Sequence, residues 1–283
     1  MLTNCKNCGA TPPQSSSQYS YVCEYCGAKN VDNDYFKVVA NTSDIGKSER
    51  YARLGLSAFA SDEFESAVEN FESSILENDG NAEVWIYLAL CKSHLLTASN
   101  FDRTTKRVDD ALRRALELDS TSELVVNGRI AIFETLVRRV ATVADYYYET
   151  AYKSYVAFGS NKSAASAASP EVEKALDRVA ILPKYRVASS SDYVLLLTDS
   201  ILQCHLYQTK GATSPELESR KSVALGELLA LFDENEELIK RNLDARGESV
   251  NPVVRLISDA RPGRIIVSSV VTKPKGFLRK LFS

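Results

Sequence analysis

Histidine is nearly missing from this chain. Its 283 residues contain two, His94 and His205, far apart and with no ligand-like neighbour beyond one cysteine nearby. Each ring reads as a surface or partly buried helix residue rather than an acid–base group. No nucleophile elbow, P-loop or dinucleotide fingerprint is present. Gly46-Lys47-Ser48 has the end of a P-loop without its upstream glycine. Carboxylates are plentiful, but none forms a spaced pair in an apolar setting. The expectation is a non-enzymatic protein. No apolar run approaches the ~20 residues of a membrane helix. The N-terminus has no apolar leader, so no signal peptide is expected. Strong charge is missing too. Lys and Arg number 34 against 37 Asp and Glu, for a net charge of -3 and a sequence pI of about 5.6. That balance argues against a protein that coats nucleic acid.

What the chain does have is a cysteine pattern. Cys5-Lys6-Asn7-Cys8-Gly9-Ala10 recurs as Cys23-Glu24-Tyr25-Cys26-Gly27-Ala28, with fourteen residues between Cys8 and Cys23. Two thiolates two residues apart can grip one ion from a single turn, and a second pair returning on a hairpin completes a tetrahedron. Four sulfurs with no open position suit one structural Zn²⁺. The spacing is slightly short of the usual zinc pattern. Glycine after each pair relieves the positive-φ position that such a turn tends to need. Two disulfides, or iron on the same ligands, are the competing readings. The arrangement resembles a zinc ribbon built from two rubredoxin-like knuckles and covers residues 1–30. A unit this small cannot fold on apolar burial alone, so the metal is expected to supply the difference. Reduced thiols imply a cytoplasmic setting.

Residues 31–47 read as a linker. From Ser48 the pattern is helical. Tyr51-Ala52-Arg53-Leu54-Gly55 returns 34 residues later as Trp85-Ile86-Tyr87-Leu88-Ala89. Phe64, Ala67, Phe71 and Ile75 lie between them, three and four apart on one helical face. A second such helix carries Val108, Leu112, Ala115 and Leu116. Ser74 to Ala115 is 41 residues rather than 34, so seven extra residues fall near Leu96 to Arg103. The pattern resembles the tetratricopeptide repeat, with two repeats at 48–121. Asp79 and Ser120 depart from it by replacing a usual Pro, and Ala58 replaces a larger residue. The resemblance implies close approach of paired helices at Gly55 and Ala89. It also implies a concave partner-binding surface. The inward positions fall on Ala52, Leu56 and Phe59, then on Ile86, Leu90 and Ser93. They are mostly apolar, so a hydrophobic protein segment is expected there, or filling by the chain's own helices.

Residues 123–158 predict one or two further helices, with Tyr148, Tyr152 and Tyr155 as a core or contact stripe, closing a helical region at 48–158. Residues 159–169 are rich in Ser and Ala and read as a flexible loop. Pro170 would open the next helix with Ser169 as its cap. A C-terminal helical region is expected over 170–260, with helices near 170–182, 190–209 and 214–243 and a short one after Asn251-Pro252. Cys91 and Cys204 read as small core residues. Residues 261–283 carry no acidic side chain. A short strand at Ile265 to Val271 and an amphipathic end with Phe277, Leu281 and Phe282 are expected there. That end could meet a partner, a membrane or its own protein. The fold class is thus mainly α, with a small N-terminal β ribbon, a helical-hairpin array and a short C-terminal strand. The function expected is a non-enzymatic adaptor or scaffold that binds a protein partner. The alternative is a nucleic-acid-associated ribbon protein, set back because Lys6 and Lys29 face Glu24, Asp32 and Asp34.

Overall fold

The computed structural model describes residues 4–5, 7–11, 20–23, 25–26, 29–31, 46–187, 190–212, 214–246 and 250–261. It is mainly helical, in two compact units, 1–132 and 133–283. No helix among the described residues is long and apolar enough to cross a membrane. The strand expected at 265–271, the tail residues Phe277, Leu281 and Phe282, and most of the 31–47 linker lie outside the described residues.

In the first unit, β1 (Ser20–Val22) and β2 (Lys29–Val31) pair antiparallel, with Tyr21 opposite Asn30. Four helices follow: α1 (Lys47–Ala60), α2 (Phe64–Glu77), α3 (Ala82–His94) and α4 (Phe101–Leu118). They form two helical hairpins, α1 with α2 and α3 with α4, and α2 also packs on α3. Gly55 explains the tightness of the first hairpin. A Cβ there would lie 2.6 Å from the Phe71 ring, so only glycine admits that ring between the helices. Phe71 is fully buried, which is worth about 1.5–3 kcal/mol. Ser48 and Ser74 close the far end by exchanging hydroxyl-to-carbonyl hydrogen bonds of 3.0 and 2.7 Å. Ala67, Ala89, Val108 and Ala115 are fully buried, so the small positions common to both hairpins sit in their seams. Asn81 caps α3 by accepting from the Glu83 N–H at 2.9 Å.

The seven extra residues divide in two. The α1–α2 turn spans 61–63, whereas the α3–α4 turn spans 95–100. The remaining four residues add one turn to the start of α4, which has 18 residues against 14 in α2. Asn100 braces the longer turn. Its Oδ1 accepts from the Thr97 N–H at 2.8 Å, and its Nδ2 donates to the Leu95 carbonyl at 2.9 Å.

Residues 123–157 form one helix, α5 (Glu123–Ala157), of 35 residues. Its first part belongs to the first unit and buries Val125 and Ile132.

The second unit contains the rest of α5, then α6 (Lys162–Val179), a 3₁₀ turn (Leu182–Tyr185), α7 (Ser191–Thr209), α8 (Pro215–Glu234), α9 (Glu236–Arg246) and α10 (Asn251–Ala260). The Leu-rich helix α7 is central and packs on α6, α8, α9 and α10. Tyr193, Leu197, Ile201 and Cys204 are among its buried residues.

Two expectations are corrected here. Residues 162–169 are helix, not a flexible loop. The Ala-Ser run is itself a buried stripe, with Ala164, Ala165, Ala168 and Val172 facing inward, and alanine is the best helix former. Asn161 caps it by accepting from the Ala164 N–H at 2.9 Å. Pro170 therefore lies inside α6 and does not open it. It deprives the Ser166 carbonyl of its usual donor, and the Ser169 hydroxyl supplies one at 3.0 Å. Likewise, 214–243 is not one helix. Asn235 ends α8, and its side chain accepts from the Leu238 N–H at 3.1 Å to start α9.

The tyrosine stripe on α5 is core at one position and half-buried at the other two. Tyr148 is buried, while Tyr152 and Tyr155, with Tyr207, surround the Lys210 ammonium at 4.2–5.6 Å from the ring centres.

Candidate functional site

All four cysteines of the N-terminal pattern converge. The Sγ atoms of Cys5, Cys8, Cys23 and Cys26 lie within 4.8 Å of one another. Cys8 and Cys23 are 3.5 Å apart, and Cys5 and Cys26 are 3.6 Å apart. A tetrahedral ion with Zn–S bonds of about 2.3 Å would separate its sulfurs by about 3.8 Å. All six cysteines are unbridged, so the disulfide reading is set aside. The turn that presents the first pair is tied twice: the Gly9 N–H donates to the Cys5 carbonyl at 2.8 Å, and the Cys5 N–H donates to the Ala10 carbonyl at 2.7 Å. Gly9 has φ +76°, the conformation foreseen for the residue after the pair. Cys5 and Cys23 are buried with Ala10 against them, while Cys8 and Cys26 are exposed.

The electrostatics of the cluster call for a cation. An N–H from Ala10 hydrogen-bonds Cys8 and lowers its pKa. Thiol hydrogen bonds from Cys23, Cys26 and Cys5, with some burial, outweigh it and push Cys8 up to about 12. The neighbouring thiols thus disfavour the ionised form of Cys8, and a divalent ion would favour it. The quartet can hold one metal ion such as zinc.

The residues expected to face a partner divide sharply. Leu56 is half-buried and lines a groove of about 270 Å³ between α1 and α3. Ala52, Arg53, Asn81, Glu83 and Tyr87 share its walls. Phe59 lies beside it in an aromatic cluster, edge-on to Tyr87 at 5.5 Å and to Phe64 at 5.9 Å. Phe64 in turn stacks on His94 at 4.0 Å. Ile86 and Leu90 are 2 % and 7 % exposed, and Ser93 is buried, so the expectation that they meet a partner is corrected. The reason for Ile86 is Gly128 on α5, whose missing side chain admits the Ile86 methyl. Here the chain fills the surface with its own helix, which was the other possibility in the sequence.

A second groove was missed. It holds about 370 Å³ between α2, α3 and α4, with Ile75, Leu76, Trp85, Leu88 and Ala111 as its apolar walls. Its one sequence signal was Leu76, which follows Ile75 off the buried face of α2.

Other candidate groups are structural. Cys91 and Cys204 are fully buried, and burial pushes both thiols up to about 12. Both histidines are half-buried.

Comparison of the chain with protein-family models, with curated proteins and with solved structures finds no match in any of the three.

Proposed function

We propose that this chain is a non-enzymatic adaptor that holds a protein segment on its helical hairpins, with an N-terminal zinc ribbon folded around one structural Zn²⁺. The single observation that carries the adaptor reading is the groove between α1 and α3. Equivalent helices of two successive hairpins line it, and its half-buried apolar side chains are reachable from solvent. The register of the hairpins supports kinship with tetratricopeptide repeats. The 34-residue period places Gly55 and Ala89 at buried seams, and the aromatic Phe71 fills the first of them. The occupant is a hydrophobic segment of a partner protein, seated against Ala52, Leu56 and Tyr87. The ribbon reading rests on the sulfur quartet together with the β1–β2 hairpin between its two cysteine pairs. Four sulfurs fill a tetrahedral shell and leave no position for a substrate, so the metal's role is to shape the backbone. Reduced thiols fit a cytoplasmic setting.

Affinity capture with the intact chain, with Leu56→Arg and with Ala52→Arg tests the surface. Both variants should lose a specific partner while keeping their helical circular dichroism. Unchanged capture by both would remove the α1–α3 groove from the proposal.

A further inference from the structure

The α1–α3 groove carries a charge that nothing else in its lining offsets. We infer, resting on the docking surface proposed above, that the partner segment it takes is basic: an apolar anchor with a Lys or Arg beside it. Glu83 is the residue that selects that cation.

The charged side chains that line the groove are Glu49, Arg53 and Glu83. Glu49 and Arg53 pair with each other along α1. Glu83 is half-buried in the first turn of α3, and its carboxylate has no ion-pair or hydrogen-bond partner among the described residues. Burial raises its pKa above the model value of 4.5, as expected of a charge short of solvent. The α3 N-terminus works the other way and favours the charged form. Tyr87 lies one helical turn further on the same face. Burial first, and then the Glu83 charge, raise its pKa. A ligand cation at this point gains the attraction of the carboxylate and the face of the phenol ring. Past Glu83 the surface opens into a hollow of about 410 Å³, walled by Asn78, Leu118, Asp119 and Val125. Its lining adds a second carboxylate and no cation. Asp119 accepts from the Thr121 and Ser122 N–H groups at 2.9 and 3.0 Å, which lowers its pKa and keeps it charged. Cations on the neighbouring helices do not line either space. Arg50 stands about 100° around α1 from Glu49, and Arg129 lies a turn beyond Val125 on α5. Arg114 is held by Asp79 at 3.0 Å and Glu117 at 3.3 Å. Apolar walls with a surplus of negative charge admit a basic segment and repel an acidic one, so the charge sets partner choice.

The probes are three fluorescein-labelled synthetic peptides with the same Leu anchors, flanked by Lys, by Gln or by Glu, titrated against the full chain by anisotropy. The Lys peptide should bind saturably and weaken as salt rises, and it should bind at least about fivefold more tightly than the Gln peptide. The Glu peptide should bind least. Glu83→Gln keeps the side chain's shape and should erase the preference for Lys over Gln while leaving the Gln peptide's affinity unchanged. Glu83→Lys should turn the preference towards the Glu peptide. Leu56→Arg should abolish binding of all three. Equal binding of the Lys and Gln peptides that Leu56→Arg still abolishes overturns the cation while the groove stands. No binding of the Lys peptide, or tighter binding of the Glu peptide, overturns the proposal too. So does a preference for Lys that survives Glu83→Gln. Failure of the groove itself shows separately, as affinity capture indifferent to Leu56→Arg and Ala52→Arg. The ranking of the three peptides on the unmodified protein keeps the test decisive if a variant fails to fold.

Discussion

Gly128 and Ile86 occupy one another's space. A Cβ on Gly128 would lie 2.3 Å from Ile86 Cγ2, closer than any real contact. Gly128→Ala should therefore destabilise the first unit by about 1–3 kcal/mol through overpacking. The loss should shrink when Ile86→Ala is added, although Ile86→Ala alone leaves a cavity. A double-mutant cycle in urea measures the coupling, and additivity would mean that the two residues do not share that space.

The first hairpin makes a parallel case at its own seam. Gly55→Leu must displace the Phe71 ring and should cost about 1–3 kcal/mol. Thermal melts followed at 222 nm would show the transition falling by several degrees. An unchanged midpoint would mean that α1 and α2 do not approach as closely as described.

Metal analysis of protein purified under reducing conditions should find one zinc per chain. Cys23→Ser removes a buried ligand and should abolish tight binding, because a structural site with three sulfurs is no longer closed. The helices keep their own apolar core, so far-ultraviolet circular dichroism should change little. Iron in place of zinc would correct the metal, and no metal at all would remove the ribbon.

Asp145 supplies a pH dependence in the second unit. Partial burial, with the nearby Asp199 and Glu149 carboxylates, raises its pKa from 3.8 to about 6. The folded state then holds that proton more tightly than the unfolded state does. The contribution is favourable below the ordinary carboxylate pKa and is lost as pH rises through about 6. Asp145→Asn should stabilise the protein at pH 7.5 by about 1 kcal/mol, discounted for the side chain's partial exposure. The difference should fade towards pH 4. A constant difference across that range would mean that the group titrates normally in the fold.

The sequence revealed most where one residue type has a single physical use. Cysteine pairs at two-residue spacing can converge on one point, and they do. The 34-residue period between Tyr51 and Trp85 marks equivalent helices, and glycine at position 55 announced the close approach to Phe71. It misled where tertiary context outweighs composition. Ala164, Ala165 and Ala168 looked like filler, but their helical spacing is that of a buried stripe, and a serine hydroxyl repairs the break that Pro170 would make. Ile86 and Leu90 have the same apolar character as Leu56. Which of them stays open depends on what α5 covers, and a glycine forty-two positions away is no visible signal of that. Leu76 was passed over for a related reason: apolar side chains look alike in sequence whether a core claims them or not.

The longer second hairpin shows how such an array can tolerate length change. Its surplus arrives as a loop extension plus about one full helical revolution, so every later side chain on α4 keeps the azimuth of its counterpart on α2 to within about 40°. An inserted pair of residues would instead have swung that face about 160° away from its neighbour. Growth in whole revolutions lets the chain lengthen one edge without renegotiating the seam beneath.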